Sequence, residues 1–156
     1  MHRLAAILLL APLLAACASS SALRDRGLPL ASVELTTTPF YPQAAYQCGP
    51  AALATVLVAS GATVTPDDLV PQIYLPGRQG STQPEIIAAT RTHDRIPYVL
   101  TSDITALLKE VAAGTPVLVL QNLGLKRFPL WHYAVVIGYD AAADTVLLRS
   151  GTEKRV

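Results

Sequence analysis

Cys48 stands where a loop turns into a helix. Gly49-Pro50 is a turn dipeptide, and a proline at the first helical position is preorganised for helix entry. Ala51 to Ser60 then reads as a helix, closed by Gly61. A thiol at a helix start faces unpaired N–H groups and the positive end of the helix dipole, and both favour thiolate. The chemistry of such a group is nucleophilic attack. It needs a base within hydrogen-bond reach and donors aimed at the oxyanion that forms. The competing assignment for a lone cysteine is an inert, buried thiol.

Three histidines are candidates for the base. His2 belongs to an N-terminal segment that export removes. His93 lies at a helix end beside Asp94 and Arg95 and reads as a solvated surface residue. His132 follows Trp131 at the head of an apolar strand, where loop meets sheet. A catalytic imidazole fits that place, and so does a core or capping histidine. Cys48 and His132 are the only strong metal ligands, whereas structural zinc wants four, so neither metal nor other cofactor is expected.

Met1-His2-Arg3 is a positive n-region, and Leu4 to Leu14 is an apolar stretch too short to span a bilayer. Leu14-Ala15-Ala16-Cys17 and the small residues after it resemble the bacterial lipoprotein signal. That resemblance implies a signal peptide over 1–16 and acyl chains on Cys17 that anchor the protein without a transmembrane helix. Ala18 and Ser19 lack the Asp that retains such proteins at the inner membrane, so the expected address is the outer membrane, facing the periplasm. Cys48 then has no intrachain disulfide partner, which marks it as a reactive or intermolecular thiol. Residues 17–32 read as a tether and 33–156 as one domain. A net charge of +1 leaves no electrostatic footprint for nucleic acid.

The elements that must position Cys48 and His132 follow from punctuation and periodicity. Val33-Glu34-Leu35 predicts a short edge strand. Thr65-Pro66-Asp67-Asp68 opens a short helix. Ser81/Thr82 with Glu85 opens another, running to about His93. Ile96 to Leu100 predicts a strand, Ser102-Asp103 caps a helix to about Ala113, and Val117 to Leu120 is a buried strand. Tyr133 to Asp140 and Thr145 to Arg149 are paired strands around a turn at Ala141–Asp144. Helices first and consecutive strands later make an α+β fold, with N-terminal helices packed on a mainly antiparallel C-terminal sheet.

Gln43, then Cys48 at a helix start, then His132 at the head of a strand resemble the order of papain-like cysteine peptidases. The words Gln47-Cys48-Gly49-Pro50-Ala51-Ala52-Leu53 and His132-Tyr133-Ala134-Val135-Val136-Ile137-Gly138-Tyr139-Asp140 resemble the bacteriocin-leader (double-glycine) peptidase family and its peptidase-like relatives. The resemblance implies a papain-like fold and a peptide or protein substrate. It makes Cys48 the nucleophile, His132 the base and later the acid, and Gln43 the side-chain oxyanion donor. Gln47 competes for that last role, but a residue adjacent to the cysteine can hardly turn back over the oxyanion. Relatives of this kind continue into further strands or helical repeats, so the domain is expected to be open at its C-terminus.

The family places an Asp or Asn on the strand after the histidine, where it orients the imidazole. Here that position falls near Ser150, which carries no carboxylate. Asp140 lies eight residues beyond His132, roughly 26 Å along an extended strand, at the far hairpin end. The expected activity is therefore that of a lipid-anchored thiol peptidase with Ser150 as candidate orienting residue. The alternative is a peptide-binding module that kept the cleft and lost turnover; a plain structural domain accounts less well for Gln43, Cys48 and His132 in that order. The loops Ile73–Gly80 and Leu123–Leu130 are expected to flank the cleft.

Overall fold

The computed structural model describes residues 32–43, 45 and 47–156. The signal segment, Cys17 and all but the last residue of the tether lie outside them. β1 (Val33–Glu34) comes first, followed by α1 (Cys48–Ala59), α2 (Pro66–Ile73), α3 (Gln83–Thr92) and α4 (Ile104–Ala112). β2 (Val117–Asn122), β3 (Trp131–Asp140) and β4 (Thr145–Arg149) complete an antiparallel sheet centred on β3. β4 runs along one edge of β3, while β2 and then β1 share the other. This is the expected α+β architecture.

α1 is buried on nearly all sides, including Pro50, Ala52, Leu53, Ala54 and Leu57. Its small alanines let it sit close to β3, α2 and α3. The single hydroxyl inside it, on Thr55, is satisfied by the Ala51 carbonyl at 2.9 Å. The helix begins two residues earlier than expected, at Cys48, so Pro50 is its third residue rather than its first. A first-turn proline forfeits no helical hydrogen bond, and its fixed φ suits any of these positions.

α2 carries a complete capping box. Asp68 N–H donates to Thr65 Oγ1 at 3.3 Å, and Thr65 N–H donates to Asp68 Oδ2 at 2.9 Å. Asp103 caps α4 through the Ala106 N–H at 3.0 Å.

The sheet is covered on both faces. Tyr133, Val135 and Ile137 pack with α1, α2 and α3, whereas Val136, Tyr139 and Ala141 pack with Leu108 and Val111 of α4. Strict alternation would put Tyr139 on the same face as Ile137. A register shift between Val136 and Gly138 inserts one extra residue and moves Tyr139 to the α4 side. Gly138 also admits β1: a Cβ there would collide with the Val33 carbonyl and lie 3.0 Å from Glu34 Cα.

One expectation needs correction. Ile96–Leu100 forms no strand, and Ile96 is 94% exposed. Pro97 has no N–H to give a ladder, and both edges of β3 are already taken. Beyond β4 the chain turns at Ser150–Glu153, and Val156 pairs with the same strand. Leu148 and Val156 exchange backbone hydrogen bonds at 2.8 and 3.1 Å.

Candidate active site

The N-termini of α1 and α3 meet beside the head of β3. Cys48 is the first residue of α1, half-buried and packed against the cluster that contains Tyr133. No acidic side chain lies in the first turn, and the N-cap residue Gln47 makes no side-chain cap. Pro50 has no N–H, and the first helical bond runs from Ala51 to the Gln47 carbonyl at 3.2 Å. The positive end of the helix therefore has no carboxylate of its own to compensate it.

Ser81, just before α3, packs directly over Gly49. A Cβ on Gly49 would lie 2.6 Å from Ser81 Cβ, so only glycine fits next to Cys48. The buried Ser81 hydroxyl has no partner among the described residues. Thr82 donates its hydroxyl to Glu85 in the first turn of α3, which lowers the Glu85 pKa.

At the head of β3 the half-buried His132 meets Ser150. Its Nε2 lies 3.1 Å from Ser150 Oγ. A serine hydroxyl can accept or donate. When Nε2–H donates to it, Nδ1 keeps its lone pair and is free to act as a base. Burial holds the imidazole below its ordinary pKa, which favours the neutral form. No hydrogen bond joins Cys48 to His132 in this structure, and catalytic hydrogen bonds of a ligand-free site often tighten only with substrate bound.

Gln43 is tied to the same end of the sheet. Its backbone N–H donates to the Gly151 carbonyl at 3.1 Å, and its Nε2 donates to the Tyr133 carbonyl at a long 3.5 Å. Gln43, His132 and Ser150 are thus gathered at the head of β3, while the β3 side chain that packs in the cluster with Cys48 is Tyr133. His93 is elsewhere: it closes α3 and meets Gln72 of α2, with 3.3 Å between the two nitrogens. Asp140 sits at the opposite end of β3, where its Oδ1 accepts the N–H groups of Ala142 and Ala143 at 2.9 Å.

Two residues near the site escaped the sequence reading. Tyr133 is 5% exposed, and its phenol is held above its ordinary pKa, first by burial and then by the proximity of Cys48 and Glu85. Its place next to His132 was the available signal. Arg149, also 5% exposed, is buried without an ion pair among the described residues. Its Nη2 donates to the Thr38 carbonyl at 3.0 Å and its Nη1 to the Lys154 carbonyl. It binds the segment leading to Gln43 and the turn after Ser150 to the same strand end. A charged residue ending a strand ordinarily reads as solvated, so no local signal marked it.

Among the described residues no group of His, Cys, Asp and Glu could hold a metal ion. No helix among them is long and apolar enough to cross a membrane.

The Peptidase_C39 like family matches residues 35–152, which is most of the chain. No curated protein and no solved structure matches it significantly. The chain belongs to this cysteine peptidase-like family, the one its Cys48 and His132 segments resemble, and its helices and antiparallel sheet form a papain-like α+β domain.

Proposed function

From membership of this family, from Cys48 at the first position of α1, and from the gathering of Gln43, His132 and Ser150 at the head of β3, we propose that the protein is a thiol peptidase or amidase. Cys48 is the nucleophile, and its proton passes to His132 Nδ1 as Sγ attacks the carbonyl carbon. The oxyanion is received by Gln43 Nε2–H and the Cys48 N–H. Collapse breaks the C–N bond, the imidazolium protonates the leaving amine, and a thioester remains. Water, deprotonated by His132, then attacks the thioester, which releases the acid and restores the thiol. Ser150 orients the imidazole through Nε2.

The observation that carries this reading is the 3.1 Å contact from His132 Nε2 to Ser150 Oγ. It occupies one ring nitrogen, leaves the other as the proposed base, and supplies, as a neutral group, the partner that the resembling family supplies as Asp or Asn. The Leu14-Ala15-Ala16-Cys17 ending supports export and a lipid anchor at Cys17, with the domain facing the periplasm at the outer membrane. The Gly-Gly specificity of leader peptidases is not part of this proposal.

The test is cleavage of a peptide mixture, with trapping of the acyl group. The thiol reading expects an adduct on Cys48 and complete loss of cleavage in Cys48→Ala. Cleavage that survives Cys48→Ala contradicts it. A second reading, a peptide-binding module with little turnover, draws on two observations: Cys48 and His132 are not hydrogen-bonded, and Gln43 Nε2 is engaged by the Tyr133 carbonyl. It expects peptide binding without an adduct.

A further inference from the structure

The link from β2 to β3 is rich in apolar side chains and exposed along its whole length. All ten residues from Asn122 to Trp131 are exposed, and they include half of the large apolar side chains left outside the core among the described residues. Leu125 is 72% and Phe128 71% exposed, with Leu123, Leu130 and Trp131 close behind. Scattered exposed apolar residues need no explanation, but a contiguous run of them marks a surface that meets something.

The run is also ordered. Asn122 Oδ1 accepts the N–H groups of Gly124 at 2.9 Å and Leu130 at 2.8 Å, closing the base of the link. Leu123 N–H donates to the Leu130 carbonyl at 2.8 Å, and Phe128 N–H to the Leu125 carbonyl at 3.0 Å. Gly124 is required, because a Cβ there would lie 2.5 Å from the Phe128 carbonyl oxygen. The product is a braced hairpin tip, with Lys126 and Arg127 at its turn and the Arg127 guanidinium 6.0 Å from the Phe128 ring centre.

Charge selects the partner. Between Glu110 and Asp140 the sequence has no acidic residue, while the tip carries both a lysine and an arginine. Leucine, phenylalanine and tryptophan interleaved with cations is the composition that settles at an anionic bilayer surface. A peptide groove would need a concave lining, and this segment is exposed along its whole length. We propose that the Asn122–Trp131 hairpin tip is a docking finger that seats its apolar side chains in the headgroup region of an anionic phospholipid bilayer. This goes beyond the peptidase reading and does not depend on it. Because β3 starts at Trp131, a docked finger holds His132 beside the membrane surface.

Trp131 is the only tryptophan in the chain and reports on the finger directly. The full chain is reconstituted with phosphatidylglycerol-containing vesicles, and with phosphatidylcholine vesicles as control, each bearing brominated acyl chains. Docking predicts that Trp131 emission moves to shorter wavelength and is quenched in the anionic vesicles only. Lys126→Glu with Arg127→Glu lowers the docked-to-undocked ratio about 30-fold. Leu125→Ser and Phe128→Ser each lower it at least roughly tenfold. All four positions are exposed, so these variants leave the core intact. The proposal is overturned if Trp131 stays unquenched in anionic vesicles, or if quenching is equal in both lipids and indifferent to the charge reversals. A blue shift that grows with protein concentration without vesicles assigns the surface to a second copy. A shift produced by an apolar peptide alone assigns it to substrate; either outcome also overturns the proposal.

Discussion

The two ends of β3 are built on different plans. At the far end, Asp140 is consumed by its own turn: the Ala143 N–H, the Ser32 hydroxyl and the Ala142 N–H hold its carboxyl below the usual range. Nearby, Gly138 lets β1 press close, and Tyr139 is fully buried on the α4 side. At the near end, His132 and Gln43 remain half-buried, and His132 touches a neutral hydroxyl where family members place a carboxylate or amide. One end spends its polar groups on closing the fold, and the other keeps an imidazole and an amide half-buried at the strand head. The strand's own carboxylate cannot serve the histidine, because it lies at the opposite end.

Substitutions at the near end should therefore act on chemistry and those at the far end on stability. The largest effect belongs to Cys48→Ala and His132→Ala, each lowering peptide cleavage at least about a thousandfold with the fold retained by circular dichroism. Gln43→Ala removes an oxyanion donor and should lower kcat roughly 10²- to 10³-fold with little change in KM.

Gly49→Ala forces the first turn of α1 away from Ser81, and a displacement of this kind costs up to about a hundredfold in rate. Ser81→Gly in the same chain should restore most of it, since the obstructing Cβ is then gone.

Ser150→Ala loses one neutral hydrogen bond and should cost about fivefold. Ser150→Asp should instead raise the His132 pKa, read from its imidazole proton resonances, because a carboxylate stabilises the imidazolium.

The smallest effect is on stability. His132 has a folded pKa below its ordinary value of about 6.5, so the unfolded chain binds the proton more readily. Its contribution is complete above that ordinary value and is lost as pH falls from there through the folded pKa. The urea midpoint should decline over this window, and His132→Gln should flatten the decline.

Much of this was legible in the sequence where the cause is local. The Thr65 and Asp103 N-caps are short-range signals, and both form at the expected residues. β4 occupies its expected span, and β2 and β3 extend two residues beyond theirs. Ile96–Leu100 has strand composition but joins no strand, and Pro97 has no N–H to give a ladder. The flip of Tyr139 to the α4 face depends on a register shift in the β3–β4 pairing, which no local residue pattern announces. The burial of Arg149 depends on carbonyls of Thr38 and Lys154, one of them over a hundred residues away. Of the candidate site, the types and order of Gln43, Cys48, His132 and Ser150 could be read directly. The packing of Ser81 on Gly49 and of Tyr133 near Cys48 could not, because both arise where two helix starts and a strand converge.

The central claim is that His132 activates Cys48. The direct measurement is the rate of iodoacetamide alkylation at Cys48 near neutral pH, resolved from Cys17 by peptide mass, in the native chain and in His132→Ala. The account predicts a native rate well above that of an ordinary thiol, falling to the ordinary rate in the variant. A native rate already equal to that of an ordinary thiol, and unchanged by His132→Ala, would contradict it.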